Sequence, residues 1–224
     1  MGMNKITCIV PFYNEGRRVL KVLNTLDKVK NIDEIICVDD GSQDTTYKKI
    51  IKKFPKIKII RHEKNLGKVA AVKSGYHASA NDMIFLIDAD LKNLQKNELE
   101  KAIKDFKNNK KIKMLILRRK NPLFSLTDTI LSGERILYKK DLEKILKKHI
   151  KNYQLEVAIN EYMIENNKLS AWKKYSANNT YKVFKKNFFE GLKNEIKMSQ
   201  EIIDYIGYPG YVKQLISFPK IQIK

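Results

Sequence analysis

Met83-Ile84-Phe85-Leu86-Ile87-Asp88-Ala89-Asp90 is a run of five apolar residues that ends in two carboxylates flanking an alanine. An unbroken apolar run of this length reads as a strand covered on both faces, because a strand with one wet face would alternate. The same unit recurs outward from it. Upstream lie a helical period from about Leu66 to Ser79, a strand at Ile57 to Ile60, and a helix that Asp44, Thr45 and Thr46 can cap. Before these come a strand at Glu34 to Val38, a helix over Glu15 to Lys28 and a first strand at Ile6 to Phe12. That first helix carries Val19, Leu20, Val22, Leu23 and Leu26 at helical spacing. Downstream follow a helix near Asn97 to Phe106 and a strand at Ile112 to Leu117. Strands alternating with helices over short connections predict an α/β fold, with a mostly parallel central sheet flanked by helices in a Rossmann-like single domain.

The second half reads as more helical. Residues 121–132 hold Pro122, two Ser and two Thr without a period and are expected to form a mobile loop. Helices are predicted near Lys139 to Leu146 and Leu155 to Asn166, a strand at Leu169 to Tyr175, and a long amphipathic helix from Phe184 to Ile206.

Composition narrows the function classes. In 224 residues, 45 Lys and Arg against 25 Asp and Glu give a formal charge of +20, but only six of the basic residues are Arg and the Lys is spread along nearly the whole chain. A nucleic-acid binder gathers such charge on one element and uses Arg for forked contacts, so no nucleic-acid partner is expected. Anionic ligands and anionic membrane surfaces remain. Cys8 and Cys37 are too few for a disulfide framework and fit a reducing compartment. No run approaches the roughly 18 apolar residues of a spanning helix, and Met1 to Lys5 lead into a strand without a signal-peptide core. A cytoplasmic protein, with a peripheral membrane contact, is the expectation.

In an open parallel sheet the ligand sits beyond the carboxyl ends of the strands. Strand one ends in Pro11-Phe12-Tyr13-Asn14-Glu15, strand two in Asp39-Asp40-Gly41-Ser42, and strand four in Asp88-Ala89-Asp90. Each cluster alone makes a plausible turn; three at one edge point to a site. The carboxylates of Asp88 and Asp90 can aim at one point outside the sheet, which suits a hard divalent cation shared with phosphate oxygens. Such a cation would neutralise a departing diphosphate, while an aspartate at strand two can accept hydrogen bonds from a nucleobase. Neither a G-x-G-x-x-G after strand one nor a G-x-x-x-x-G-K-[ST] occurs, so dinucleotide and P-loop readings lose their support.

Val10-Pro11-Phe12-Tyr13-Asn14-Glu15, Val38-Asp39-Asp40-Gly41-Ser42-Gln43-Asp44-Thr45, Asn65-Leu66-Gly67-Lys68 and Asp88-Ala89-Asp90-Leu91 together resemble the family-two glycosyltransferases of the A-type nucleotide-sugar fold, in order and spacing, over roughly residues 4–118. The resemblance implies that Pro11, Tyr13 and Glu15 line the nucleotide pocket, that Asp40 with Asp39 binds the base, and that Lys68 lies near the nucleotide. It also implies that Asp88 contacts ribose or metal and that Asp90 meets Mg2+ or Mn2+ and the diphosphate. Ser132-Gly133-Glu134-Arg135 and Tyr153-Gln154-Leu155-Glu156 are similar to the acceptor region of the subgroup with dolichyl-phosphate-sugar and glucosyl-3-phosphoglycerate synthases. That likeness implies acceptor contacts at Gly133, Glu134 and Arg135 and a catalytic carboxylate at Glu156. Related sites often add a metal-binding His after this region, but His62, His77 and His149 all lie elsewhere; Asn178, Asn179 or water could supply oxygen instead.

The implied organisation is a nucleotide-sugar-binding half over 1–118, an acceptor half over 119–183 and a C-terminal amphipathic segment over 184–224. The expected reaction is metal-dependent transfer of a sugar from a nucleoside diphosphate to an acceptor, a polyprenyl phosphate or a small phosphorylated molecule. A nucleotidyltransferase is the alternative enzyme, although Pro11 to Glu15 lacks the Gly-rich basic loop such enzymes carry. A catalytically silent nucleotide-sugar or membrane-binding module is the other. Lys182, Lys185, Lys186, Lys193 and Lys197 interleaved with Phe184, Phe188, Phe189, Leu192 and Ile196 suit anionic headgroups with a shallow apolar anchor. A lipid phosphate would then approach Arg118, Arg119 or Arg135.

Overall fold

A computed structural model describes residues 5–119, 127–178, 188–219 and 221–223. The strands are β1 (Ile6–Phe12), β2 (Glu34–Asp39), β3 (Lys58–Arg61), β4 (Met83–Leu86), β5 (Met114–Arg118), β6 (Arg135–Tyr138), β7 (Ser170–Lys174) and β8 (Ile221–Gln222). Between them run α1 (Arg17–Leu26), α2 (Thr46–Lys53), α3 (Lys68–Ala78), α4 (Lys96–Asn108), the single turn α5 (Thr127–Ile130), α6 (Lys139–Leu146), α7 (Leu155–Glu165) and α8 (Phe188–Ser217). All eight strands form one sheet in the order β3-β2-β1-β4-β6-β5-β7-β8, parallel except where β6 runs against β4 and β5.

Period-two alternation sorts the strand residues onto two buried faces. Cys8, Val10, Phe85, Leu115 and Leu117 meet α1 and α4 through Val19, Leu23, Leu99, Ile103 and Phe106. On the opposite face Ile9, Ile36, Val38, Ile84, Met114 and Ile116 meet Val72 of α3, Leu142 and Ile145 of α6, and Ala158 and Ile159 of α7. With helices on both sides, neither face needs polar residues, which is why the central strands read as continuous apolar runs. Helix α3 rides close on β1: a Cβ at Gly75 would stand 2.5 Å from Ile9 Cγ2.

The chain lays β2 and β3 on one side of β1, and α3 then carries it back so that β4 pairs with the other side. The carboxyl ends of β1 and β4 therefore diverge at a topological switch point, the place where such sheets open a crevice. Asp39, Lys68 and Asp88 all follow from this crossing: Asp39 ends β2, Lys68 opens α3, and Asp88 follows β4.

The second half departs from expectation in three respects. Arg135, the last residue of the expected acceptor motif, opens β6, a four-residue strand inserted antiparallel in the middle of the sheet. Within the stretch read as a loop, Thr127 to Ile130 make the short α5, and 120–126 lie outside the described residues. The last helix runs on to Ser217 and breaks at Gly207, whose φ of 67° and ψ of 163° are not helical, with Pro209 just beyond. Lys182, Phe184, Lys185 and Lys186 of the expected basic anchor lie outside the described residues.

Candidate active site

The loops after β1 and β2 are stitched together. Asn14, at φ 52°, donates its amide to Ser42 Oγ (2.9 Å), and its side-chain oxygen accepts from Gln43 N (2.9 Å). Tyr13 stands beside this seam, 41% exposed, and Glu15 pairs with Arg18. Asp39 is fully buried; it accepts from Ser42 N (2.8 Å) and lies 3.4 Å from Arg61 Nε. Asp40 is more heavily engaged. Its oxygens accept from the backbone amides of Leu66 (3.0 Å) and Gly67 (2.7 Å), and its Oδ1 lies 2.7 Å from His62 Nδ1. Because a carboxylate only accepts, His62 carries a proton on Nδ1, and its Nε2 meets Ser74 Oγ at 2.9 Å. Asp40 thus holds the loop that leads into Lys68. Gly41 makes room for that loop: at φ 77°, an added Cβ would stand 2.4 Å from the carbonyl carbon of Lys64.

Beyond β4 the charges converge. Lys68 Nζ bridges Asp88 Oδ1 (2.7 Å) and Glu156 Oε1 (2.8 Å), the latter 88 residues from Lys68 in sequence. Arg119 Nη2 reaches Asp88 Oδ2 (3.0 Å), and its Nε reaches Glu134 Oε2 (2.9 Å). Ser132 Oγ donates to the Leu117 carbonyl (2.7 Å) and stands 2.9 Å from Glu134 Oε2. Burial would raise the Asp88 carboxyl, but Lys68 and Arg119 outweigh it and hold the group well below the usual carboxylate range. Burial opposes the charge on Lys68 as well, and Asp88 and Glu156 more than restore it. Glu134 goes the other way: burial, with Asp88 nearby, pushes it up despite Arg119. Burial also pushes up the Tyr175 hydroxyl, and the Glu134 charge adds to the shift.

Gly133 serves this centre by its missing side chain. A Cβ there would stand 2.6 Å from both Asp88 oxygens, so the glycine admits the carboxylate. Arg135, expected to touch an acceptor, is instead fully buried. It donates to the carbonyls of Ser132 (2.7 Å), Ile130 (2.6 Å) and Glu156 (3.2 Å) and to Asn160 Oδ1. It is a strut between β6 and α7, enclosed by the protein's own carbonyls. Glu134 is likewise fully buried and pairs with Arg119. Arg118 stacks over Trp172, 4.7 Å from the ring centre. His62 braces the Asp40 loop, and His77 is exposed on α3. Asn178 bridges Lys92 through backbone hydrogen bonds of 2.8 and 3.1 Å, closing a short ladder just past Asp90.

The structure thus brings the sequence-predicted Lys68, Asp88 and Glu156 to one point, and adds Asn160 and Tyr175, whose polar groups become significant only through partners distant in sequence. The donor set can be tested against a divalent cation. Among the described residues no three His, Cys, Asp or Glu gather closely enough to hold a metal alone. An Mg2+ or Mn2+ carried by a diphosphate needs only one or two carboxylates and otherwise takes phosphate and water oxygens. Asp88 and Asp90 fit that role. Lys68 and Arg119 pair with one Asp88 oxygen each.

The chain is similar to several known proteins. A dolichyl-phosphate beta-glucosyltransferase from Trichomonas vaginalis is 37% identical over 112 residues, 44% of this chain and 33% of the relative. A UDP-N-acetylglucosamine--dolichyl-phosphate N-acetylglucosaminyltransferase from Methanococcus voltae is 33% identical over 142 residues, 54% of this chain and 55% of the relative. The matched stretch spans 33%, 38% and 30% of the first three curated relatives, about a third of their length. Among solved structures, glucosyl-3-phosphoglycerate synthase from Mycobacterium tuberculosis, in complex with Mn2+, uridine diphosphate and phosphoglyceric acid, superposes with a TM-score of 0.75 at 16% identity. The superposition covers 95% of this chain and 79% of that one, and it establishes the A-type fold. Residues 7–168, most of the chain, match the family model for this group of enzymes: the chain belongs to glycosyl transferase family 2.

Proposed function

We propose that the chain transfers a hexose from a nucleoside diphosphate sugar to the phosphate oxygen of a polyprenyl phosphate, with Mg2+ or Mn2+ as cofactor. The observation that carries this reading is the setting of Asp88, at the switch point, between two cations and one step from Glu156. Pro11, Tyr13, Glu15 and Asp39 line the nucleotide pocket, and Asp40 shapes it by holding the Leu66 and Gly67 amides. Asp88 and Asp90 would hold the divalent cation, which when bound supplies charge to stabilise the departing diphosphate. Lys68 and Arg119 add fixed positive charge on the protein side of that centre, and Glu134 keeps Arg119 aimed at it. The acceptor oxygen attacks the anomeric carbon as the bond to the diphosphate breaks.

A phosphate nucleophile is already ionised, so Glu156 then acts by orienting Lys68. A small phosphorylated acceptor that attacks through a hydroxyl is the second reading, favoured by the placement of Glu156 as a carboxylate able to take the proton. The names of the curated relatives support the lipid acceptor, and the solved structures support a small phosphorylated one. Among the described residues no helix is long and apolar enough to cross a membrane. Tyr208 (68% exposed) and Ile216 (80%) on α8 offer a peripheral apolar contact for a lipid substrate. The test offers UDP-glucose and GDP-mannose with Mn2+ to dolichyl phosphate and, separately, to 3-phosphoglycerate. Sugar found on dolichyl phosphate supports the proposal; sugar found only on 3-phosphoglycerate selects the second reading.

A further inference from the structure

The floor of the acidic centre is tied to the C-terminal helix by side chains that the transfer chemistry does not use. Asn160 of α7 and Gln214 of α8 are 0% and 2% exposed. Asn160 Nδ2 donates to Gln214 Oε1 (2.9 Å) and to the Ile130 carbonyl (3.0 Å), while its Oδ1 accepts from Arg135. Gln214 Nε2 donates to the Val157 carbonyl at 3.1 Å. Arg135 in turn donates to the Glu156 carbonyl. Gln214 therefore bonds α7 at two successive turns: the Val157 carbonyl in the first turn, which also carries Glu156, and the Asn160 side chain three residues on. An amide buried this deeply is costly unless both of its ends are bonded, and here both ends are bonded to the N-terminal half of α7. A second tie runs parallel to it, from Gln154 Nε2 to the Glu201 carbonyl (2.9 Å), just ahead of Glu156.

We propose that Gln214 is a positioning residue for Glu156, so that α8 belongs to the working apparatus of the site. The inference rests on Glu156 being a functional carboxylate of the transfer site. Removing the Gln214 amide takes away one of the three hydrogen bonds of Asn160 and the bond on the Val157 carbonyl, which loosens the support of Arg135 and lets the Glu156 turn drift relative to Lys68. Reacting groups tolerate little drift, and a misplacement near 1 Å costs on the order of a hundredfold in rate.

The test compares wild type, Gln214→Met, Glu156→Gln and the double variant, using UDP-glucose, Mn2+ and dolichyl phosphate. Gln214→Met keeps the side-chain length and removes both hydrogen bonds. The expected result is a kcat lowered about ten- to a hundredfold, a donor KM within about twofold of wild type, and a cooperative melt. In the Glu156→Gln background the same change should add almost nothing, because a positioning residue loses its effect once the group it positions is gone. Hydrogen exchange of the 154–160 amides in the protein alone should quicken in Gln214→Met, a readout independent of turnover. An unchanged kcat and exchange rate overturn the proposal, and so does a full additional loss in the double variant. Gln214→Ala, which cannot overpack, carries the same test if the Met variant does not fold; failure of both to fold makes Gln214 a residue of the fold alone and also overturns it. Full turnover of Glu156→Gln removes Glu156 from the site and defeats the reading beneath the proposal by a separate route.

Discussion

Replacing Gly133 by alanine probes the acidic centre with a single methyl group. The new Cβ would stand 2.6 Å from both oxygens of Asp88. Ordinary carbon–oxygen contact begins near 3.4 Å, so the Asp88 carboxylate must retreat by about 0.8 Å. That retreat shifts Asp88 relative to Lys68 at 2.7 Å and Arg119 at 3.0 Å, both of which must follow or loosen. Overpacking of this kind costs about 1–3 kcal/mol, and for a chain of this size each kcal/mol lowers Tm by about 2–4 °C. The loss in rate should be larger than the loss in stability suggests, since sub-ångström displacement of a reacting group costs about ten- to a hundredfold. Differential scanning calorimetry and a nucleoside diphosphate release assay on the same preparation check both numbers. Wild-type kcat in a folded Gly133→Ala protein would refute the placement of Asp88 at the reacting centre.

Other substitutions test the neighbouring parts. Asp40→Asn turns an NH2 group toward one of the backbone amides it now accepts from, so a loss of about 1–3 kcal/mol and a raised donor KM are expected from melts and donor titration; a fall in kcat alone would place Asp40 elsewhere. Asp90→Ala should abolish metal-stimulated turnover without unfolding the chain, and near wild-type rates would sink the metal assignment. Cys8 and Cys37 are fully buried, and burial pushes both thiols far above their usual range. Neither should react with a disulfide reagent at pH 8 until denaturant opens the sheet, and fast labelling of the native protein would contradict the packing of β1 on β2.

What was legible in the sequence follows from locality. A strand covered on both faces writes itself as a short apolar run, so β1, β2, β4 and β5 and the acidic ends of β2 and β4 were readable, and with them the edge where ligands bind. β6 was not, because four residues between a glycine turn and a helix carry little period, and its antiparallel place between β4 and β5 is set by partners far along the chain. Arg135 misled for a related reason: an arginine after Gly-Glu suggests a surface ligand contact, and only the fold reveals carbonyls from α5 and α7 closing around it. The sequence offers Asp40 as a base contact but not as the anchor of the loop into α3, because its partners lie 22 to 27 residues away. Glu156 and Lys68 were each readable as site residues, but nothing in the spacing said that they touch.

The most direct test of the account follows a labelled hexose. UDP-glucose and GDP-mannose, each with Mn2+, are offered with dolichyl phosphate to the wild-type chain and to Asp88→Asn, and the lipid phase is analysed for sugar. The account predicts metal-dependent label on the lipid phosphate with one of the donors, together with stoichiometric nucleoside diphosphate, and at least a hundredfold less with Asp88→Asn. Label transferred equally well by Asp88→Asn, or a nucleoside monophosphate appearing in place of the diphosphate, would contradict it.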